Sequence, residues 1–252
     1  MTTPIGMVDL ERVMSLGWRG TSTQRLGDWL LRAGSGFTGR ANSVLPLGSP
    51  GCELDDALEA VRVFYRGHHL NPLFQVPLGP ETGSLDSDLE RRGWTAFNLS
   101  GVLVADIDDA VTHCPSRPGL GSARFDDAPS ADWLDGYLYR GTPLPDSAVA
   151  VLRNADDVTF ASLHDESGRT AVVRGAVADG WLGVTALTVA ENLRRSGIGR
   201  HLMGELLRWA ASHHAQRVYL QVAAENTTAI GFYSGLGFTQ HHQYHYRRAP
   251  DS

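Results

Sequence analysis

The stretch from Trp181 to Phe238 constrains this chain more than any other. Trp181 to Val189 is too rich in apolar and β-branched residues for an easy helix, and Arg217-Val218-Tyr219-Leu220-Gln221-Val222 reads likewise. Between them stand Arg194-x-x-Gly197-x-Gly199 and then Leu202, Met203, Leu206, Leu207, Ala210 and Ala211, whose three- and four-residue steps make one apolar helical stripe. Strand, helix, strand is a right-handed parallel crossover, with the two glycines at the turn into the helix. Without side chains at Gly197 and Gly199, successive backbone N–H groups can face one point at the positive end of the helix dipole, an arrangement that suits phosphate oxygens. No Lys-Ser/Thr follows Gly199, which excludes a nucleotide-binding P-loop. Downstream, Asn226 precedes a short helix over 227–236 that carries Tyr233 and stops at Leu236-Gly237-Phe238.

Together these segments resemble the two signature motifs of the GCN5-related N-acetyltransferase (GNAT) superfamily, whose loop pattern is Arg or Gln-x-x-Gly-x-Gly or Ala. The resemblance implies an α/β fold: a mostly antiparallel mixed sheet, helices on both faces and a V-shaped split at one parallel strand pair. It also implies acetyl-CoA as cosubstrate. Backbone groups of Leu187, Thr188 and Val189 would pair with the pantetheine arm. Behind Arg194, amides of Arg195, Ser196, Gly197, Ile198, Gly199 and Arg200 would take the pyrophosphate. Asn226 would touch the pantetheine, and Tyr233 would stand near the sulfur as general acid. The implied activity is N-acetyl transfer to a primary amine of a small molecule or peptide, by direct attack in a ternary complex.

The residues themselves leave alternatives open. Asn226 is a good N-cap whatever else it does, and an aromatic such as Tyr233 beside Ala229, Ile230 and Leu236 can be core. The family often places a glutamate on the strand before the loop, where this chain offers Thr185 and Thr188. Glu191, Glu225 and Asp179 are the nearest carboxylates in sequence, and deprotonation through water stands beside them as the route to a neutral amine. A non-catalytic acyl-CoA-binding sensor or assembly protein is the alternative function.

The first half echoes the second. A helix over 54–65, a strand over 73–76, a helix over 86–92 and a strand over 95–105 repeat the order seen at 202–212, 219–222, 227–236 and 239–247, and Phe74-Gln75-Val76 echoes Leu220-Gln221-Val222. The copy is degenerate, because Gly48-Ser49-Pro50-Gly51 replaces the glycine loop and Pro50 removes a donor. The expected organisation is therefore two tandem GNAT-like domains: a degenerate one over 1–111, a Pro/Gly-rich linker over 112–122, and a catalytic one over 123–252. In the second half a strand over 123–125, a helix over 131–139 and an antiparallel meander over 158–164, 170–178 and 181–189 precede the motif. In the first half, a strand over 41–47 follows the loop 36–43, which either lines a substrate pocket or closes a hairpin.

Composition narrows partners. The chain has 252 residues, a net charge of −6 and no lysine among its 22 basic residues, so nucleic acid is not an expected partner. No apolar run reaches the length of a membrane span and the start lacks a signal peptide, giving the expectation of a cytoplasmic monomer or homodimer. Cys52 and Cys114 read as free thiols. No metal is expected. Alternation over 238–247 would send His241 and His245 to one face and His242 to the other, leaving too few ligands together.

Overall fold

A computed structural model describes residues 5–117, 119–137, 144–164 and 170–250. The first half contains α1 (Met7–Gly17), β1 (Ser22–Leu26), β2 (Trp29–Ala33), β3 (Val44–Pro46), α2 (Leu54–Gly67), β4 (Leu73–Pro77), α3 (Gly83–Arg91), β5 (Thr95–Asp106) and α4 (Ile107–Thr112). The second contains β6 (Arg124–Asp126), α5 (Ala131–Gly136), α6 (Ala148–Arg153), β7 (Asp157–His164), β8 (Thr170–Ala178), β9 (Trp181–Val189), α7 (Ile198–Ser212), β10 (Arg217–Ala223), α8 (Thr227–Ser234) and β11 (Thr239–Arg248).

Local chemistry explains the elements that position the site. In α7, Leu202, Met203, Leu206, Leu207 and Ala210 form the buried stripe, and in α2 Ala57, Leu58, Val61, Phe64 and Tyr65 do the same, with Asp55 and Asp56 at the positive end of the dipole. Ser130 caps α5 by accepting from the Trp133 amide. Strand β3 is shorter than the expected 41–47. The Asn42 side chain accepts from the amides of Gly34 and Gly36 and donates to the carbonyls of Phe37 and Thr38, so residues 34–43 fold into a side-chain-braced loop instead of extending. The last two residues of the helix expected over 131–139, and residues 165–169 between the first two strands of the meander, lie outside the described residues.

The strands form one 11-stranded sheet in the order β1-β2-β3-β4-β11-β5-β10-β9-β8-β7-β6. The two halves thus share one sheet by exchanging their last strands. Strand β11 of the second half pairs antiparallel with β4 of the first, β5 of the first pairs antiparallel with β10 of the second, and β5 and β11 pair with each other at the centre. On each side of that pair the next two strands run parallel, β3 with β4 and β9 with β10. Gln75 and Gln221, the echo seen in the sequence, therefore occupy corresponding strands.

The β9/β10 pairing covers only Trp181–Val184 against Arg217–Leu220. Beyond it the strands part, which is the V-shaped opening. Strand alternation turns Leu182, Val184, Val218 and Leu220 toward the core under α7, and turns Gly183, Thr185, Tyr219 and Gln221 toward α1 on the other face. A bulge in β9 marks the opening: its register with β8 shifts between Val172 and Arg174, and Ala186 takes a left-handed φ of 60°.

Candidate active site

The site begins where β9 ends. A 3-10 turn over Glu191–Leu193 leads into the loop, Arg195 adopts φ 61° and Gly197 φ 87°, and Gly197 becomes the N-cap of α7 with no side chain closing the helix end. The amides of the first turn are thus left facing outward, as an anion cradle requires. At Gly197 a Cβ would collide with Arg117 Nη1, whose guanidinium donates to the Ser196 carbonyl. Cradle geometry, uncapped helix end and neighbouring cation all fit a pyrophosphate.

Several elements that carry the other expected residues meet near this point. A Cβ at Gly199 would sit 3.4 Å from Val189 Cγ2 and 3.8 Å from Phe232 Cζ, so the end of β9, the first turn of α7 and the side of α8 meet there. Leu187, Val189 and Tyr233 pack against one core, and Ile198 is buried in it. Arg194 Nε donates to the Val189 carbonyl at 3.2 Å, and Arg200 Nη1 to the His113 carbonyl at 3.0 Å. Both guanidiniums therefore brace the loop. Ser196 Oγ bonds back to the Leu193 carbonyl. Asn226 caps α8, accepting from the Ala229 amide at 3.1 Å, and also lines the large cleft described below.

Tyr233 stands between the rings of Phe232 and Phe238, and its hydroxyl has no hydrogen-bond partner among the described residues. Burial pushes the phenol up to about 12. Of the three carboxylates nearest in sequence, Glu225 lines the cleft, Glu191 lies exposed on the 3-10 turn, and Asp179 sits in the turn at the opposite end of β9.

On the α1 face of the opening lies a cleft of about 920 Å³, bounded by the 36–40 loop, β5, β11 and the end of β10. The loop 36–43 thus both turns the chain and lines a pocket. Beneath it a narrower recess reaches Thr185 and Gly183 of β9, Tyr219 of β10, and Trp18, Arg32, Arg40 and Arg174. Arg40 and Gln221 border both spaces. Trp18, Arg40, Arg117 and Arg174 escape a sequence reading, since each is set beside the site only by partners far along the chain, as Arg40 is by Gln221, Arg117 by Ser196 and Arg174 by Gly17.

The histidines at 241–245 differ from the expected alternation. A bulge between Gln240 and His242 folds His241 back, so that its Nδ1 lies 2.8 Å from His242 Nδ1 and its Nε2 lies 3.0 Å from the Ile5 carbonyl. His242 meets Glu11, and His245 meets Asp86. Among the described residues no group of three or more His, Cys, Asp or Glu side chains is placed to hold a metal, and no helix is long and apolar enough to cross a membrane.

A sheet split between two parallel strands beside a glycine-led helix defines a GNAT fold. The profile of the family described as "Probable histone acetyltransferase Rv0428c C-terminal" matches residues 6–247, and the chain belongs to that family. It is 32% identical over 245 residues to the probable histone acetyltransferase Rv0428c of Mycobacterium tuberculosis, covering 94% of this chain and 72% of that one. It is 29% identical over 251 residues to the uncharacterized N-acetyltransferase YobR of Bacillus subtilis, covering 94% and 96%. A solved GCN5-related N-acetyltransferase from Kribbella flavida shares the fold with a TM-score of 0.71 at 16% identity, over 99% of this chain and 98% of that one. The protein is an acyl-CoA-dependent acetyltransferase of the tandem GNAT type.

Proposed function

We propose that the protein transfers an acetyl group from acetyl-CoA to a primary amine of a small molecule or peptide, by direct attack in a ternary complex. The observation that carries this reading is the uncapped, left-handed Gly197 entry to α7 at the mouth of the β9/β10 opening. Bound there, acetyl-CoA supplies an activated acyl group and a thiolate leaving group. The chain's part is to orient, polarise and move protons. Amides from Arg195 to Arg200 hold the diphosphate, and backbone groups of Leu187 to Val189 align the pantetheine, with a strand N–H at the β9 bulge available to the carbonyl oxygen. Asn226 contacts the pantetheine while it caps α8.

Tyr233 donates a proton to the departing sulfur. A phenol held near 12 stays protonated through the working pH range, and its unpartnered hydroxyl is free to donate. Glu225, on the rim of the cleft, is positioned to draw the amine proton through water. The degenerate first domain, residues 1–111 in this reading, lends strands and cleft walls, and 123–252 carry the cofactor site.

The test is thiol release from acetyl-CoA against a panel of amines. Tyr233→Phe should keep cofactor affinity by calorimetry and lower turnover by ~10–1000-fold. Unchanged turnover removes Tyr233 from the mechanism. Tight binding of acetyl-CoA without transfer to any amine would instead favour a sensor.

A further inference from the structure

We propose that the acceptor is an amino-acid-like amine, carrying a carboxylate close to its amino group, and that Arg40 grips that carboxylate at the mouth of the β9/β10 opening. The inference rests on the acetyltransferase reading and names its substrate class.

The recess beneath the cleft gathers three guanidiniums against one carboxylate. Arg32, Arg40 and Arg174 line it together with Glu11. Arg32 and Arg174 are fully buried, and their bonds go to neutral acceptors: Arg32 to the Ser43 carbonyl and hydroxyl and to Gln75 Oε1, Arg174 to the carbonyls of Leu152 and Gly17. Glu11 is itself engaged by Gln75 Nε2 at 3.1 Å and by His242 at 3.0 Å. Among the described residues none of the three arginines has a carboxylate in ion-pair range. A buried surplus of positive charge is costly unless an anion completes it. Burial brings the Arg174 guanidinium down to about 9, and the neighbouring Arg40 charge acts in the same direction.

Arg40 is the one of the three that is free to act. It is half-buried, it stacks over the Trp18 ring at 4.7 Å while Arg174 approaches the same ring at 4.9 Å, and among the described residues its one hydrogen bond goes to the Gln221 side chain. Its remaining N–H donors form a planar fork that matches a carboxylate's two oxygens. Gln221 lies one residue past Leu220, where the β9/β10 ladder stops, and Thr185 is its counterpart on β9. An anion on Arg40 therefore lies beside the opening where the thioester is presented. A carboxylate held there sets the amine of the same small molecule beside the opening, whereas a polyamine offers Arg40 no anion to hold. Recognition at this point also draws on both halves, since Arg40 comes from the first and Gln221 from the second.

The experiment compares amino acids with their carboxamides, which keep the amine and remove the charge. In wild-type protein kcat/KM for the preferred acid should exceed that of its amide at least tenfold. With CoA present, N-acetyl amino acids should raise the melting temperature more than their amides do, a readout that does not need turnover. Arg40→Gln should bring the acid-to-amide ratio near one through KM, Arg40→Lys should retain part of it, and both should bind acetyl-CoA within twofold of wild type. Equal handling of acid and amide by wild type, no stabilisation by any member of the panel, or an unchanged ratio in Arg40→Gln overturns the inference. Loss of acetyl-CoA binding in the wild-type protein would overturn the acetyltransferase reading itself, so the two failures are told apart.

Discussion

Gly197→Ala tests the cradle most directly. Gly197 holds φ 87° at the N-cap of α7, a left-handed conformation that costs an L-residue about 1–2 kcal/mol. The new methyl group would also displace the Arg117 guanidinium, which can swing aside because it is the end of a flexible side chain. The free loop can relieve its strain by leaving the left-handed region, but ligand binding would draw it back. If the whole strain is recovered on binding, the Kd for CoA rises by about 5- to 30-fold, since 1.4 kcal/mol is tenfold. Gly180→Ala is the control. Gly180 has a comparable φ of 75°, a Cβ there would meet nothing within 4 Å, and it lies in the turn before β9, away from the cradle. That variant should lower stability by a similar amount and leave affinity untouched. Calorimetric titration with CoA alongside denaturant unfolding separates the two effects. An unchanged Kd in Gly197→Ala, with a stability loss equal to that of Gly180→Ala, refutes the role of the loop as a phosphate cradle.

Three further outcomes follow from the geometry. Asp86 accepts from Arg247 Nε and Nη2 at 2.9 and 3.0 Å and meets His245 at 2.7 Å, tying β11 to α3; Asp86→Asn should cost about 2 kcal/mol, less than a fully buried pair because the carboxylate is partly exposed. Burial alone would raise the Asp86 carboxyl, but the bonds from Arg247 and His245 outweigh it and hold it below its ordinary value. Its stabilising effect is therefore complete above about pH 4 and fades as pH falls through the lowered value, so melting curves of wild type and variant should converge in acid and not in base. Thiol titration of the native protein should find one reactive group, the exposed Cys52; Cys114 is buried, burial raises it to about 11, and it should react only on unfolding. Because burial raises the Tyr233 phenol to about 12, the alkaline limb of the turnover profile should not begin at the ordinary phenol value of about 10; a limb there that Tyr233→Phe abolishes would keep Tyr233 as the acid but refute the raised phenol, and one that persists in Tyr233→Phe would assign the proton to another group.

What could be read in the chain and what could not divides along physical lines. Helices α2 and α7 and strands β4, β5, β8, β9, β10 and β11 carry their own period, bounded by glycines and prolines, so local pattern sufficed. Helix α1 lacks that clarity: Glu11 and Ser15 are buried among Leu10, Val13 and Met14, which makes sense only once Gln75 and His242 are present to satisfy Glu11. Strand β1 is a polar, exposed edge, and α4 and α6 span six residues each, too short to show a stripe. The left-handed glycine entry to α7 was legible because it lies within seven consecutive residues. The recess on the α1 face was not, since Arg40, Arg174, Gln221 and Trp18 come from four separate elements or loops that the fold brings together.

That sheet order also explains how a half without a glycine cradle still shapes the site. With β5 removed, β10 would present the backbone groups of Arg217 to Ala223 as an open edge directly beside the cofactor opening, and the 97–100 wall of the cleft would vanish with it. With β11 withdrawn, the edge of β4 that faces away from β3 would be left open in the same way, and the Arg247–Asp86 anchor would be lost. Neither half can therefore close its own sheet. The two parallel strand pairs are held at a fixed separation by β5 and β11, so the width of the β9/β10 opening is set partly by strands on the other side of the pseudo-symmetric centre. A perturbation at Asp86 would reach the cleft through β11, whereas one in the 34–43 loop would act on the cleft wall directly.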